Sequence, residues 1–369
     1  MNKTRYKKLL QKIFKNFFYL LFKLKHGKIK FDKIIQKNLF EEENVIIEKD
    51  NHRYSYSVYS CSNSRLYTDR IQDTAIVKNN YLLDEPSFQL RNNIFDKNIE
   101  KNIVLKIGTP NIIKKVDGSV LSLLTGGGGN DNYFHWLFDV LPRIGIVEKI
   151  INLENIDYYL CPNLNNWQIK TLQLIGINKK RCFSSVDYRH IQAKKIITTN
   201  HPWSKSNDVI HDIENMPNWI STWLQQKFLI HKSNRNFPKK FYIDRSDSTS
   251  NLKNYRFITN EHELIKYLKS QGFEIIKLSK LLFNDQVKLF NDAETIIGLH
   301  GAGLSNLIWC KKNTKIIELR SKLTNKMYEN LALQNRMDFH KIVSNPIDKV
   351  IANHYGSIKV DIDEIQKII

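Results

Sequence analysis

The chain has 369 residues, 41% of them hydrophobic and 11% aromatic, with a formal net charge of +20. That length supports about two domains, and the composition excludes a disordered or fibrous chain. The charge favours anionic partners: nucleotides, nucleic acid or an anionic membrane surface.

Residues 1–31 hold ten Lys/Arg and no acid. Leu9, Leu10, Ile13, Phe14, Phe17, Phe18, Leu21 and Phe22 recur at helical spacing within them. The apolar run 17–22 is too short to span a bilayer and short for a signal-peptide core. A basic amphipathic helix on an anionic membrane surface is expected; a helix packed on its own protein or on a second subunit is the plainer reading. Nucleic acid is not expected as a partner, because no zinc finger, RNP signature or aromatic-interleaved single-strand motif appears. Cys61, Cys161, Cys182 and Cys310 are scattered without a C-x-x-C, which points to a reducing cytosol and to neither a zinc site nor a disulfide framework.

Residues 32–110 read as short β segments, at 54–59, 74–77 and 103–107, forming a small accessory β region. From 111 the pattern becomes strand–helix alternation. Strands are expected at 120–124, 157–161 and 193–198, with helices at 132–151, 167–175 and 210–229. After a basic, Pro-containing break at 232–240 a second series follows. Its strands are expected at 241–243, 273–277, 294–298 and 315–319, and its helices at 260–271, 284–291 and 326–335. Two such series predict an α/β protein with two doubly wound, Rossmann-like domains facing a cleft. The domains are an N-terminal one over 111–235 and a C-terminal one over 236–345, with a tail over 346–369. Ligands in such folds lie at the carboxyl ends of the strands.

Three clusters carry chemistry. The first runs from Gly126, Gly127, Gly128 and Gly129 through Asn132, His135 and Asp139 to Arg143. The glycines follow a strand but form neither a Walker loop nor a dinucleotide fingerprint. His135 and Asp139 are four apart on one helix face, and a His beside a carboxylate can act as a general base. The plainer alternative has His135 merely hold the glycine loop. Gly128, Gly129, Asn132 and Arg143 are expected to face the cleft.

The second cluster is Arg245, at a strand end, and Arg256, in a polar loop. Their guanidinium forks suit phosphate oxygens, although surface salt bridging is the default for either alone. Asn260 with Glu263 reads as a capping box. The third is Gly298-Leu299-His300-Gly301-Ala302-Gly303-Leu304-Ser305-Asn306, a strand, a glycine turn and a helix start. Such a turn offers backbone N–H groups and a positive helix end to a phosphate, and His300 can donate to an anion. Glu318, at the next strand end, is placed to accept from ribose hydroxyls. The Asp361-Ile362-Asp363 triplet is poorly placed for a metal–nucleotide site and is expected to begin a terminal helix. Neither a metal nor a cofactor is expected.

Taken together, these clusters resemble glycosyltransferase family 61, which includes bacterial capsular polysaccharide biosynthesis enzymes, plant xylosyltransferases and animal O-linked N-acetylglucosaminyltransferases. The resemblance rests on Asn132-Tyr133-Phe134-His135-Trp136-Leu137 with Asp139 and Leu141-Pro142-Arg143; on Tyr242-Ile243 with Arg245, Arg256 and Asn260-Glu261; and on the 298–304 turn with Asn306 and Glu318-Leu319. It covers about residues 120–320. Asp244 departs from it, because the family usually has Ser before the Arg.

The resemblance implies a GT-B-like fold and an inverting, metal-independent hexosyl or pentosyl transfer from a nucleotide sugar to a hydroxyl. The acceptor would be a glycan, a lipid-linked glycan or another hydroxyl compound in surface polysaccharide or glycan biosynthesis, at the cytoplasmic face. Arg245, Arg256, His300, Gly301, Ala302, Gly303, Asn306 and Glu318 would bind the donor. The base would be His135 or Asp139, with Asp139 preferred, acting directly or through His135. A non-catalytic nucleotide or nucleic-acid binding module is the competing reading. An esterase is disfavoured, since no Gly-x-Ser-x-Gly elbow is present.

Overall fold

The computed structural model describes residues 3–69, 74–87, 98–124, 132–206, 208–246, 256–347 and 356–369, with the backbone alone at 3–6, 8 and 37. Gly128 and Gly129 lie outside the described residues. The chain divides into two compact units, 1–169 with 177–209, and 170–176 with 210–369.

The first unit opens with helix α1 (Lys3–His26) and a hairpin of β1 (Glu41–Lys49) and β2 (His52–Thr68). β3 (Thr74–Lys78) and β4 (Tyr81–Leu82) continue the meander. α2 (Ile103–Ile107) follows, where the sequence reads as a strand. The Asn102 carboxamide accepts the Val104 amide at 3.2 Å, and Gly108 closes the helix at φ 71°. This local capping outweighs the β-branched composition of the segment.

β5 (Lys114–Ser122) leads to α3 (Tyr133–His135), a π turn (Trp136–Val140) and α4 (Leu141–Val147). The π turn has a local cause. Pro142 has no N–H to give Phe138, and its ring would strike that carbonyl in a regular helix. The Leu141 amide instead reaches back five residues to Trp136. β6 (Tyr158–Cys161), α5 (Asn166–Leu174), β7 (Cys182–Ser184) and β8 (His190–Thr199) follow.

The described strands of this unit make one mixed sheet in the order β4-β3-β2-β8-β5-β6-β7, with β1 on β2. β8, β5, β6 and β7 are parallel, whereas β2 joins β8 antiparallel over a long register. The expected accessory region is therefore continuous with the parallel strands, and one apolar core, including Leu66, Ile76, Val120, Leu160 and Ile196, serves both.

The second unit begins with α6 (Val209–Glu214) and α7 (Asn218–Phe228). A single helix over 210–229 is expected from the sequence. Pro217 disfavours helical backbone at Met216 and stands as the N-cap of α7, so the helix divides there. Both pieces belong with the second unit, although the sequence suggests a boundary near 235.

β9 (Lys240–Ile243), α8 (Glu261–Ser270), β10 (Glu274–Ile276), α9 (Phe283–Asn291), β11 (Thr295–Leu299), β12 (Lys315–Ser321), α10 (Met327–Gln334) and β13 (Asp338–Ser344) complete a parallel sheet in the order β10-β9-β11-β12-β13. This is a doubly wound order whose direction reverses between β9 and β11. β13 is not evident in the sequence because it is short of buried residues at the sheet edge. The 346–369 segment is more than a tail: Ile358, Val360 and Ile365 are buried in the second core. α11 (Ile362–Gln366) is N-capped by Asp361, which accepts the Asp363 amide at 3.0 Å.

Candidate active site

In the first unit the site forms where β5 and β8 lie side by side and their chains leave the sheet. α3 enters from β5, and Asn132 fixes its start by accepting the Phe134 amide at 2.9 Å and the His135 amide at 3.4 Å. The π turn places Asp139 below His135. His135 Nδ1 lies 2.7 Å from Asp139 Oδ2, with the His135 side chain 32% exposed and that of Asp139 1%. Trp203 Nε1 donates to the other carboxylate oxygen, Oδ1, at 2.7 Å. His201 Nδ1 accepts the Ser204 amide at 2.9 Å, which puts its proton on Nε2, 3.8 Å from Asp139 Oδ2.

The electrostatics follow from these contacts. Burial pushes the Asp139 carboxyl up, but the charge and hydrogen bond of His135, with His201 added, outweigh it and hold the group well below the usual carboxylate range. Burial pushes His135 down, and the Asp139 carboxylate more than reverses this, so its pKa lies above the ordinary value. Burial dominates at His201 and keeps it neutral by lowering its pKa.

With Nδ1–H given to Asp139, His135 keeps Nε2 as its proton-accepting nitrogen. Asp139 has both oxygens engaged inside the protein and no exposed surface with which to meet a substrate. Arg143, expected at the cleft, is fully buried beneath the helix. Its Nε donates to the Asp139 carbonyl at 3.2 Å and its Nη1 to the Thr199 carbonyl at 3.4 Å, and burial lowers its pKa to about 10.

His201 and Trp203 are not singled out by the sequence. They stand more than sixty residues from His135 and meet it only because β8 pairs with β5. The available signal was a His-x-Trp directly after an apolar strand end.

In the second unit the site lies at the reversal between β9 and β11. Arg245 follows β9, His300 follows β11, and Arg245 Nη1 donates to the His300 carbonyl at 3.0 Å. A Cβ on Gly301 would stand 2.9 Å from the Arg245 guanidinium carbon, so glycine is what lets that side chain lie across the turn. The turn passes into a 3₁₀ helix (Ala302–Trp309), whose first amides have no acceptor within the helix. Arg256 is close enough for its charge to act on His300 and Tyr328.

His300 is buried, and its Nδ1 lies 2.6 Å from Glu318 Oε1. Burial first, then the charges of Arg256 and Arg320, lower its pKa, and Glu318 only partly compensates. Glu318 is itself fully buried. Its second oxygen takes Arg320 Nη1 at 3.0 Å, and the chain continues through Arg320 to Glu329 at 2.8 Å and from Glu329 to Lys341 at 2.8 Å.

The expected ribose-accepting role does not fit a carboxylate with both oxygens engaged inside the protein; Glu318 orients His300. Asn306 is likewise buried, and its carboxamide reaches Gln286, the Gly303 carbonyl and Trp309 Nε1, so it braces the turn. Asn260 makes no side-chain cap; its carboxamide donates to the Val360 carbonyl at 2.9 Å and accepts the Val360 amide at 3.0 Å. Asp244 accepts the Ser246 amide at 2.7 Å and stands 3.6 Å from Lys277. Among the described residues, no group of three or more His, Cys, Asp or Glu side chains is arranged to hold a metal ion.

His135, Asp139, His201, Trp203, Arg245, Arg256 and His300 all fall within the stretch 133–317, which matches the Glycosyltransferase 61 family. The chain is also similar to the EGF domain-specific O-linked N-acetylglucosamine transferases of Bos taurus and Rattus norvegicus, at 34% identity over 83 residues in each case. The protein of the same name from Gallus gallus is 30% identical over 83 residues. These matches cover 21% of this chain and 16% of each relative. With half of its length matched, and with the His135–Asp139 and Arg245–His300 arrangements inside that half, the chain belongs to the Glycosyltransferase 61 family.

Proposed function

We propose that the chain transfers a sugar from a nucleotide sugar to a hydroxyl acceptor by a single inverting displacement that uses no metal ion. The observation that carries this reading is the convergence of Arg245, His300 and the 301–303 turn at the strand-order reversal of a parallel sheet. Guanidinium groups and free amides at such a point suit the diphosphate of a donor. They also supply the positive charge that a departing diphosphate otherwise takes from a cation.

In this reading His135 is the base. As the acceptor oxygen attacks the anomeric carbon, Nε2 takes its proton, and Asp139 steadies the resulting imidazolium. The bond from the anomeric carbon to the phosphate oxygen breaks, and its electron pair leaves with the diphosphate toward Arg245, Arg256 and His300. One base and one leaving group give inversion. The complete burial of Asp139 favours a role through His135 over direct attack on the acceptor proton.

The second unit would be the donor half of a GT-B-like enzyme and the first unit the acceptor half. A cytoplasmic site and a glycan or lipid-linked glycan acceptor in surface polysaccharide assembly fit the family and the charge of the chain. The names of the relatives make N-acetylglucosamine the first sugar to offer as its nucleotide, with other hexoses and pentoses after it.

The test is a thermal-shift panel of UDP, GDP, CDP and oligonucleotides, followed by slow donor hydrolysis without acceptor. Stabilisation by one nucleoside diphosphate and turnover of its sugar are expected. The net charge of +20 favours one other reading, a nucleic-acid binding module. Salt-sensitive stabilisation by oligonucleotides, with none by nucleoside diphosphates, would establish it instead.

A further inference from the structure

α1 is attached to its unit by the wrong face for an ordinary amphipathic helix. Its partly buried side chains are Tyr19, Phe22, Lys23 and His26, a single stripe at the i, i+3, i+4, i+7 positions. Lys23 Nζ donates to the Lys106 carbonyl at 2.6 Å, and His26 Nε2 is 3.0 Å from the Asn111 carbonyl. The His26 ring stands edge-on to His190 at 5.1 Å, with Phe22 stacked on its other side at 5.5 Å.

At 100° per residue, Leu10, Ile13, Phe14, Phe17, Leu21 and Leu24 lie on the opposite side of the helix. All are exposed, Phe14 by 63% and Leu24 by 80%. A helix packed on protein buries its apolar stripe; this one is held by a mixed polar and aromatic edge and turns the stripe outward.

Charge says what covers the stripe. α1 carries Lys and Arg and no acid along its length, and Lys7 and Lys25 lie at the margin of the stripe, where long stems let their ammonium groups rise beside inserted apolar chains. No helix among the described residues is long and apolar enough to cross a membrane. An apolar stripe bordered by cations on such a helix matches the interface of an anionic bilayer.

We propose that α1 is an in-plane anchor for an anionic lipid surface, its Leu10–Leu24 stripe inserted and its 19–26 edge holding the first unit against the bilayer. The proposal deepens the reading of a surface-held acceptor and rests on it for its purpose, but its test needs no turnover.

The full chain is floated with vesicles of phosphatidylcholine alone and with about one third phosphatidylglycerol. Binding to the anionic vesicles only, weakened by salt, is expected. Phe17→Glu with Leu21→Glu should reduce it by about tenfold or more. Lys12→Gln with Lys15→Gln, on the opposite side, should leave insertion in place and weaken the preference for anionic lipid. The thermal-shift response to nucleoside diphosphate should survive both changes and reports the fold.

Three results overturn the anchor. The full chain fails to float with anionic vesicles, the glutamate variant floats as well as the parent, or light scattering shows a dimer that the glutamate variant dissolves while no form binds vesicles. A parent chain that does not float yet keeps its nucleotide response refutes the anchor and spares the transferase. Intact flotation with no nucleotide response does the reverse.

Discussion

Asp139→Asn tests the base assignment through the orientation of a single amide. Trp203 Nε1 donates to Asp139 Oδ1 at 2.7 Å, so the asparagine must put its carbonyl oxygen there. Its NH₂ then occupies the place of Oδ2, 2.7 Å from His135 Nδ1. Two donors cannot meet, and His135 must move its proton to Nε2, leaving the nitrogen proposed as the base unable to accept one. Loss of the correct tautomer in a His–Asp pair costs up to about 10⁴-fold in turnover. Here His201 Nε2–H, 3.8 Å from the place of Oδ2, opposes the Trp203-bound orientation and returns part of the population to the productive one, so a fall of about 10³-fold is expected, roughly 4 kcal/mol of barrier.

A second substitution separates the tautomer from the charge. Trp203→Phe removes the donor that fixes the amide, so in the double variant the carboxamide is free to rotate and to present its oxygen to His135 Nδ1. The double variant should therefore recover about tenfold or more over Asp139→Asn alone. By itself, Trp203→Phe should reduce turnover only modestly, since the carboxylate remains. The assay is initial rate at saturating donor, with nucleotide binding measured in parallel. The reasoning fails if Asp139→Asn keeps a tenth of parental turnover, or if Trp203→Phe only adds to its loss.

The other predictions concern protonation and the donor site. His135 has a raised pKa, so kcat/KM should climb with pH through a value above 6.5, and Asp139→Asn should move that limb lower. Its stability contribution runs the other way: it is complete below pH 6.5 and lost as pH rises through the folded-state pKa, which a thermal-melting series in pH would show. Because His300 is held neutral in the free protein, an anion beside it should draw a proton onto the ring. Calorimetry of nucleoside diphosphate binding in buffers of different ionisation enthalpy should show net proton uptake near neutral pH, abolished by His300→Asn. Gly301→Ala pushes on the Arg245 guanidinium and should weaken diphosphate binding by about tenfold with little change in Tm. Glu318→Gln breaks a buried ion chain and should cost about 3 kcal/mol in denaturant unfolding.

Sequence periodicity finds the second unit well because its strands are buried runs separated by capped amphipathic helices. α8, for example, ends at Gly272, with φ of 79°. It finds the first unit less well for two reasons. β2 is a long strand whose polar first half pairs with β1 and whose buried second half belongs to the main sheet, so no single alternation describes it. α2 owes its helix to Asn102 and Gly108, local devices that four β-branched and aliphatic residues conceal.

The site was legible where chemistry is local. His135 and Asp139 share a helix, and four residues of spacing suffice to place them together. What spacing does not convey is burial. The segment 134–147 is apolar on all sides, so no periodicity separates an inward Arg143 from an outward one. The structure resolves this through the carbonyls of Asp139 and Thr199, which Arg143 satisfies from below. Asn306 and Glu318 mislead in the same way, being polar residues beside a glycine turn that support the turn from behind.

These inward groups have a shared consequence. Each histidine at a strand-order reversal has a buried carboxylate behind it, Asp139 behind His135 and Glu318 behind His300, yet their pKa values move in opposite directions. His135 is third-exposed and has Asp139 bound close, so the attraction wins. His300 is fully enclosed, and Arg320 draws on the same Glu318 while Arg256 adds positive charge, so burial wins. One imidazole is thereby more basic than an ordinary histidine. The other is less basic and held neutral. The proposed displacement, which deprotonates an acceptor hydroxyl and releases an anionic diphosphate, would use that difference, and the two partner sets behind the rings create it.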